Sequence, residues 1–296
     1  MMMRGAVAGA EPGTFMPDWN AEPSTLYVVA TPIGNLADLS ARASEVLRTV
    51  TWVAAEDTRQ TRKLMAHLGA GARLRSLHRG NEARTVPALV RSLRTTGASG
   101  ALVSDAGTPL VSDPGRWLVE AALRAGIAVV PLPGPCAVVA ALSVAGLDAA
   151  RFVFEGFLPA RAVARRRRVA ELACETRTWA VYEAPHRIRA LAGDIKEVLE
   201  PDRQVAWVRE LTKRHEEAWR GAVGELDPER IPERGEFVVV VEGAGEEAGV
   251  PDQDLDAFLE PLLEAGLGVR TAAALARDCL GAAHKAAYAR ALALKR

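Results

Sequence analysis

From Leu26 to Gly146 the chain alternates short apolar runs with longer amphipathic ones, and this alternation constrains the fold more than any other feature. "LYVVATP", "TWVAAED", "RLRSLH", "GALVSD" and "IAVVPLPG" read as strands, while intervening segments such as "SARASEVLRTV" and "TRQTRKLMAHLG" read as helices. Ser40 stands where an N-cap belongs, and Gly69 where a helix closes. Such alternation predicts a largely parallel sheet with helices on both faces. Past Arg151 the texture changes. "RFVFEGF", "RTWAVYEAP", "QVAWVREL", "AWRGAVGEL" and "EFVVVVEG" are strands, some too close together for helical crossovers. The second half is therefore expected to hold a mixed sheet with some antiparallel pairing.

The 296 residues, 49% of them hydrophobic, suffice for two α/β domains with separate cores. We place the first at 25–148 and the second at 149–243. Residues 242–256, "EGAGEEAGVPDQDLD", carry six acids and no base. They read as a linker over 244–256. The remaining 257–296 form an Ala-rich basic module, read as two short helices around Gly281. Residues 1–24 mix Gly, Ala, Pro and acids without a sustained apolar run. They read as a disordered extension rather than a signal peptide.

Charge narrows the function classes. Lys plus Arg equals Asp plus Glu at 37 each, so nucleic-acid binding requires local basic patches. Cys136, Cys174 and Cys279 lie far apart with no C-x-x-C pair, which argues for a reducing compartment and against a zinc ribbon. No apolar run reaches the length of a membrane span. A phosphate-binding P-loop and a G-x-G-x-x-G dinucleotide fingerprint are both missing; the first strand–helix turn offers "TPIGNL" with one glycine.

Three strand ends instead share one chemistry: "TPIGNL" (31–36), "SDAGTPLVSDPG" (104–115) and "PLPGPCA" (131–137). Built from Gly, Pro and small residues, they offer backbone groups and let a ligand approach closely. Their only charges are Asp105 and Asp113. A matching ligand has hydrogen-bonding edges and an apolar body, and carries a cation rather than a polyphosphate. S-adenosylmethionine meets that description. Gly/Pro loops can also do no more than end strands.

These segments, with "VAAEDTRQTRKL", "NEA", "FEGFLP" and "ELTKRHEE", resemble the bacterial methylases of ribosomal small-subunit RNA that modify a cytidine ribose 2′-oxygen. That family lies within the tetrapyrrole methylase superfamily. The resemblance runs from about Leu26 to the C-terminus. It implies two α/β domains of the tetrapyrrole methylase type with a small helical C-terminal module. It also implies a cytoplasmic homodimer acting on 16S ribosomal RNA rather than DNA or a membrane, with the cofactor between the domains. By position, Pro32 and Gly34 would line that cleft, as would Ser104, Asp105, Ala106, Gly107, Thr108, Pro109, Asp113, Pro114 and Gly115. Pro133, Gly134, Pro135 and Cys136 complete the first domain's share, and Tyr182 and Glu183 join from the second. Two departures from the family pattern, Arg79-Gly80 and the "EAP" of "YEAPHR", bear on local RNA contacts.

A ribose hydroxyl is a poor nucleophile, so a proton acceptor helps its methylation. Candidates are Glu56 and Asp57 in "AEDTR" and Glu210 with Lys213 in "RELTK"; Asp57 can equally pair with Arg59 for structure. For RNA, "RAVARRRR" supplies Arg161, Arg165, Arg166, Arg167 and Arg168, and the C-terminal module adds Lys285 and Arg290. The C-terminal helices can grip RNA or pack on a partner subunit. Two competing readings are a superfamily member acting on a tetrapyrrole or a protein side chain, and a non-catalytic ribosome-assembly factor.

Overall fold

The computed structural model describes residues 19–244, 252–282 and 284–295, and the side chains of 284–286 lie outside that description. The first sheet contains β1 (Thr25–Val29), β2 (Trp52–Ala55), β3 (Arg73–Ser76), β4 (Gly100–Val103) and β5 (Ala128–Leu132), in the order β3-β2-β4-β1-β5. All its pairings are parallel. Helices α1 (Ala41–Thr49) and α2 (Thr58–His67) cover one face through Leu47, Leu64 and Met65. Helices α3 (Glu82–Thr95) and α4 (Arg116–Arg124) cover the other through Leu89, Leu93 and Leu118. The central strands β2 and β4 are buried along their whole length, which is why "WVAA" and "GALV" carry no polar alternation. Edge strand β3 instead exposes Arg73 and Arg75. Ser40 caps α1, its hydroxyl accepting from the Ala43 amide at 3.1 Å. Parallel pairing gathers the loops after β1, β2, β4 and β5 at one edge of the sheet, where open α/β sheets bind ligands.

The second sheet holds β6 (Phe152–Phe157), β7 (Thr178–Glu183), β8 (Gln204–Arg209), β9 (Glu217–Ala222) and β10 (Phe237–Val241), ordered β6-β7-β10-β8-β9. Only β6 and β7 run parallel; the others pair antiparallel, so the sheet is mixed as expected. Helices α6 (Ala162–Ala173) and α7 (Ile188–Val198) bury Trp179, Leu191 and Ile195 on one face. The opposite face is covered by α5 (Ala137–Ala145), whose Ala141 and Leu142 share a core with Ala180, Val208 and Val240. Helix α5 follows β5 of the first sheet in the chain but packs against the second. It thereby joins the two units, and the Val138 amide donates to the Tyr182 hydroxyl at 3.2 Å across the junction.

Helices α8 (Asp252–Glu264), α9 (Val269–Leu280) and α10 (His284–Leu294) share a small core of Leu255, Leu259, Ala272 and Ala276. Gly281 ends α9 at φ 71°, as the sequence suggests. Residues 252–256 are helical rather than linker, a correction whose cause is their acid content. Asp252 and Asp254 occupy the first turn, where the helix dipole favours negative charge. Residues 245–251 of the expected linker lie outside the described residues.

A second correction concerns the N-terminus. Residues 19–24 are tied to the first sheet: the Ala21 amide donates to Thr49 Oγ1 at 2.9 Å and the Ser24 amide to the Ala98 carbonyl at 3.0 Å. The Arg42 guanidinium also sits 4.6 Å from the Trp19 ring. Residues 1–18 of the expected extension lie outside the described residues.

Candidate active site

The loop after β4 is tightly constrained. Gly107 adopts φ 84° and Gly115 φ 114°, while Leu110 and Ser112 hold positive φ without being glycine. At Leu110 and Ser112 such backbones cost about 1–3 kcal/mol each and persist only where the surroundings over-determine them. Here the surroundings do. Gly107 exchanges two hydrogen bonds with Thr31 after β1, at 2.9 and 3.0 Å. Ser104 Oγ donates to the Gly107 carbonyl at 3.0 Å, and Thr108 Oγ1 donates to the Pro135 carbonyl at 3.0 Å. At the far end of the loop the buried carboxylate of Glu82 accepts the Gly115 amide at 2.8 Å. Three sequence-distant loops thus form one rigid rim.

The second unit faces this rim. A β-bulge at Glu155 in β6, with Gly156 at φ 67°, turns the exposed Phe157 toward it. A side chain at Gly156 would meet Ser112 Oγ at 3.0 Å. The turn after β8 crosses so close to Gly34 that a Cβ there would collide with Lys213 Cγ. Between the units lies a cavity of about 500 Å³. The first unit lines it with Ile33, Glu56, Asp105 to Thr108 and Val111 to Asp113; the second adds Phe157, Tyr182, Glu183, Leu211 and Glu236. Among the described residues, no Lys, Arg or His is in its walls. A smaller recess of about 280 Å³, lined by Thr31, Pro32, Ser104 and Asp105, lies beside it.

Several sequence candidates converge here. Asp105, Ala106, Gly107, Thr108, Asp113, Tyr182 and Glu183 face the main cavity, and Pro32 and Ser104 the recess. Others act behind the walls. Gly34 admits the Lys213 turn, Gly115 packs on Leu102, and Gly134 packs on Ala30. Pro135 supplies a carbonyl, while Cys136 precedes α5 and packs in the core between the units. Pro109, Pro114 and Pro133 do not line either space.

The four acid–base candidates separate. Glu56 faces the cavity. Asp57 caps α2 and grips Arg59, whose hydrogen bonds hold its carboxyl at about 2. That is structural work. Lys213 bridges Glu210 and Glu236 at 2.8 and 2.7 Å. Burial pulls the Glu210 carboxyl upward, but the Lys213 ammonium and the Glu236 amide hold it below its ordinary value. Between Glu210 and Lys213, Leu211 faces the cavity. Asp113 behaves oppositely to Asp57: burial, opposed by a Ser104 hydrogen bond and reinforced by Glu56 and Asp105, pushes it to about 6. Burial likewise pushes the Tyr182 phenol to about 12 and raises Glu183.

Most of the arginine run on α6 is ion-paired within the chain, and one member of it is buried. Arg165 is 5% exposed and pairs with Asp194 at 2.6 Å, so its RNA assignment is corrected. Arg166 pairs with Asp194 and Glu197, Arg167 with Glu171, and Arg168 with Glu155 and Glu171. Arg161 stands before the helix with no ion pair among the described residues. Arg290 is held by Asp256 and Asp252 within its own module, and the Lys285 side chain lies outside the described residues. The acids that neutralise α6 come from elsewhere in the chain or a later turn, so the run looked bare in one dimension. The sequence reading also missed Glu82, Phe157, Leu211 and Glu236; only Glu82, a lone acid in "NEA" amid a basic stretch, left a signal.

Comparison with known proteins agrees with this architecture. The family model of Tetrapyrrole (Corrin/Porphyrin) Methylases matches residues 25–227. The chain is 48% identical over 275 residues to the Ribosomal RNA small subunit methyltransferase I of Xylella fastidiosa (strain Temecula1), covering 90% of this chain and 98% of that protein. It is 47% identical over 272 residues to the protein of the same name from Escherichia coli O157:H7, covering 90% and 94%. Among solved structures, the Thermus thermophilus uroporphyrin-III C-methyl transferase complexed with S-adenyl homocysteine superposes with a TM-score of 0.52. It shares 18% identity, over 73% of this chain and 96% of that one. A conserved hypothetical protein from Aeropyrum pernix superposes at 0.57 with 20% identity, over 80% and 89%. The chain belongs to the tetrapyrrole methylases and, within them, to the family of ribosomal RNA small subunit methyltransferase I.

Proposed function

We propose that this chain is an S-adenosylmethionine-dependent methyltransferase of 16S ribosomal RNA in the small subunit, and that the acceptor is the 2′-oxygen of a cytidine ribose. The observation that carries the reading is the interdomain cavity, walled by carboxylates, backbone groups and apolar side chains and by no cation. Its about 500 Å³ suits a cofactor of this size. Its chemistry repels a polyphosphate and tolerates a sulfonium. Gly107 supports the fit, since a Cβ there would press on Ile33 at 3.3 Å in the cavity wall. When bound, S-adenosylmethionine supplies an electrophilic methyl group on a cationic sulfur.

The residues that would hold it are Thr31 and Pro32, Ser104 to Thr108, and Tyr182 with Glu183. The rigid rim then supplies alignment, the main need of an in-line transfer. We assign Asp113 to receive the ribose proton. A carboxyl near 6 is ionised at neutral pH yet more basic than an ordinary aspartate. Phe157, exposed at the mouth and 5.7 Å from the Tyr182 ring, offers a face on which the target nucleotide stacks. A cytoplasmic homodimer is part of this reading; the apolar Val139 and Val144, still exposed on α5, are surface that a second copy would cover.

The test of function incubates the protein with methyl-labelled S-adenosylmethionine and small ribosomal subunits from cells lacking the modification. Label is expected in RNA at an alkali-resistant linkage. Label on a base, or on no RNA while the cofactor still binds, refutes the ribose assignment.

The Asp113 assignment carries its own prediction. The folded carboxyl holds its proton to about 6, against 3.8 for an ordinary aspartate, so the fold binds the proton more tightly than the unfolded chain does. This contribution to stability is full below about pH 4 and is lost as pH rises through 6. Asp113→Asn removes the titration. Its Tm relative to the parent should climb between pH 4 and 6 and then level off, while kcat at pH 7.5 falls about 100-fold. A flat Tm difference across that window, or an unchanged kcat, would remove Asp113 from this role.

A further inference from the structure

With the α6 run neutralised, the question is which cations remain free to meet a polyanion. From Thr58 to Ser104 the chain carries nine Arg and Lys residues and a single acid, Glu82. That acid is buried and committed to the Gly115 amide. This excess sits in a chain whose overall charge is zero. Arg62 on α2, Arg73 and Arg75 on edge strand β3, and Arg84 and Arg91 on α3 are all exposed. None of these five has an ion-pair partner among the described residues.

The stretch reaches the cavity through Arg79, in the β3–α3 loop, which donates from Nη2 to the Ser112 carbonyl at 3.4 Å. Just before the stretch, Asp57 donates its amide to Asp105 Oδ1 at 3.0 Å while its carboxylate holds Arg59 at the surface.

We propose that α2, β3 and α3 form the docking surface for the ribosomal RNA backbone, leading to the cavity mouth past Arg79. The inference rests on the methyltransferase reading above and names the surface that reading requires. Clustered guanidinium groups without carboxylate partners are what phosphate recognition needs, because each can exchange a released counterion for a phosphate contact. An edge strand suits the task. Its Leu74 packs inward while Arg73 and Arg75 stay exposed, and exposed Arg also discourages strand pairing with another protein.

The experiment uses the full chain and small ribosomal subunits lacking the modification. It measures equilibrium binding across a salt series, methyl transfer, and S-adenosylmethionine affinity by calorimetry. Arg62→Ala/Arg73→Ala/Arg75→Ala should weaken subunit binding at least 10-fold and flatten the log K against log salt slope by about 2, at roughly 0.7–0.9 per lost contact. Cofactor affinity should stay within about 2-fold of the parent. Arg→Lys at the same positions should restore the slope, since charge is retained. Arg230→Ala, an exposed residue paired with Asp227 on the second unit, should leave it unchanged.

Should the triple Ala variant fail to fold, Arg84→Ala/Arg91→Ala on α3 tests the same surface and should flatten the slope by about half as much or more. Subunit binding and slope equal to the parent's in a folded variant would overturn the docking surface. Patch-dependent binding by a protein that transfers no label to the ribose would instead overturn the reading of the reaction and leave the surface standing.

Discussion

Asp194→Ala lowers the melting temperature by about 10 °C, the largest stability loss expected from any single change discussed here. Asp194 is 4% exposed on α7, and its carboxylate receives both Arg165 at 2.6 Å and Arg166 at 3.3 Å from α6. Arg165 is buried as well, so removing its partner strands a guanidinium away from water. Breaking a buried pair by deleting one member costs about 3–5 kcal/mol. In a chain of this size that amounts to about 2–4 °C of Tm per kcal/mol.

The same physics supplies the control. Arg165→Met combined with Asp194→Leu removes both charges and keeps apolar volume between α6 and α7, so most of the lost stability should return. Calorimetric scans of the two variants decide the matter. A single variant within 1 kcal/mol of the parent would show that the pair is solvated in solution. A double variant as unstable as the single would show that volume, not charge, sets the cost.

Gly107→Val abolishes cofactor binding at micromolar concentrations while leaving most of the molecule folded. Gly107 holds φ 84°, which an L side chain seldom adopts and a β-branched one least of all. The bridge to Thr31 prevents relief by rotation, since both backbone groups of Gly107 are bonded there. Any Cβ would also press on Ile33 at 3.3 Å and approach the Pro135 carbonyl at 3.7 Å. The rim must therefore open, at about 1–3 kcal/mol for the strained backbone alone. The expected result is at least a 100-fold rise in the S-adenosylmethionine Kd by calorimetry. Gly69→Ala, also at positive φ but facing open space, should destabilise modestly without touching the Kd. Equal cofactor affinity in Gly107→Val and the parent would place the cofactor away from this loop.

Much of the fold was legible because burial writes itself into local pattern. Four of the five strands of the first sheet appear as apolar runs, since a parallel strand covered on both faces has no polar side to show; edge strand β3, "RLRS", differs because it exposes Arg73 and Arg75. "FVVVV" of β10 betrays itself in the same way, with all five residues buried at the centre of the second sheet. Helix α7 escaped the sequence reading, although Ile188, Leu191 and Ile195 follow helical spacing. The "EAPHR" turn ahead of it drew attention to chemistry instead. Helix α8 was hidden in an acidic stretch that reads equally well as linker. Only the packing of Leu255 and Leu259 against Ala272 and Ala276 distinguishes the two.

The candidate site was legible as loops but not as an arrangement. Gly, Pro and Asp at the strand ends mark turns in any context, so the segments 31–36, 104–115 and 133–136 could be found by composition alone. Their mutual hydrogen bonds, the strained Leu110 and Ser112, and the bulge that aims Phe157 depend on contacts between residues dozens of positions apart.

By itself, then, the sequence determined most of the elements, the Gly/Pro turns at the strand ends and the absence of a nucleotide-phosphate motif, because each is a property of neighbouring residues. Tertiary structure decided which charges are free. Arg165 to Arg168 form the densest basic run in the chain, yet they meet Glu155, Glu171, Asp194 and Glu197 and are neutralised. The sparser arginines of β3 and α3 meet no carboxylate partner among the described residues. Coulomb energy depends on distance through space, and one-dimensional spacing does not report it.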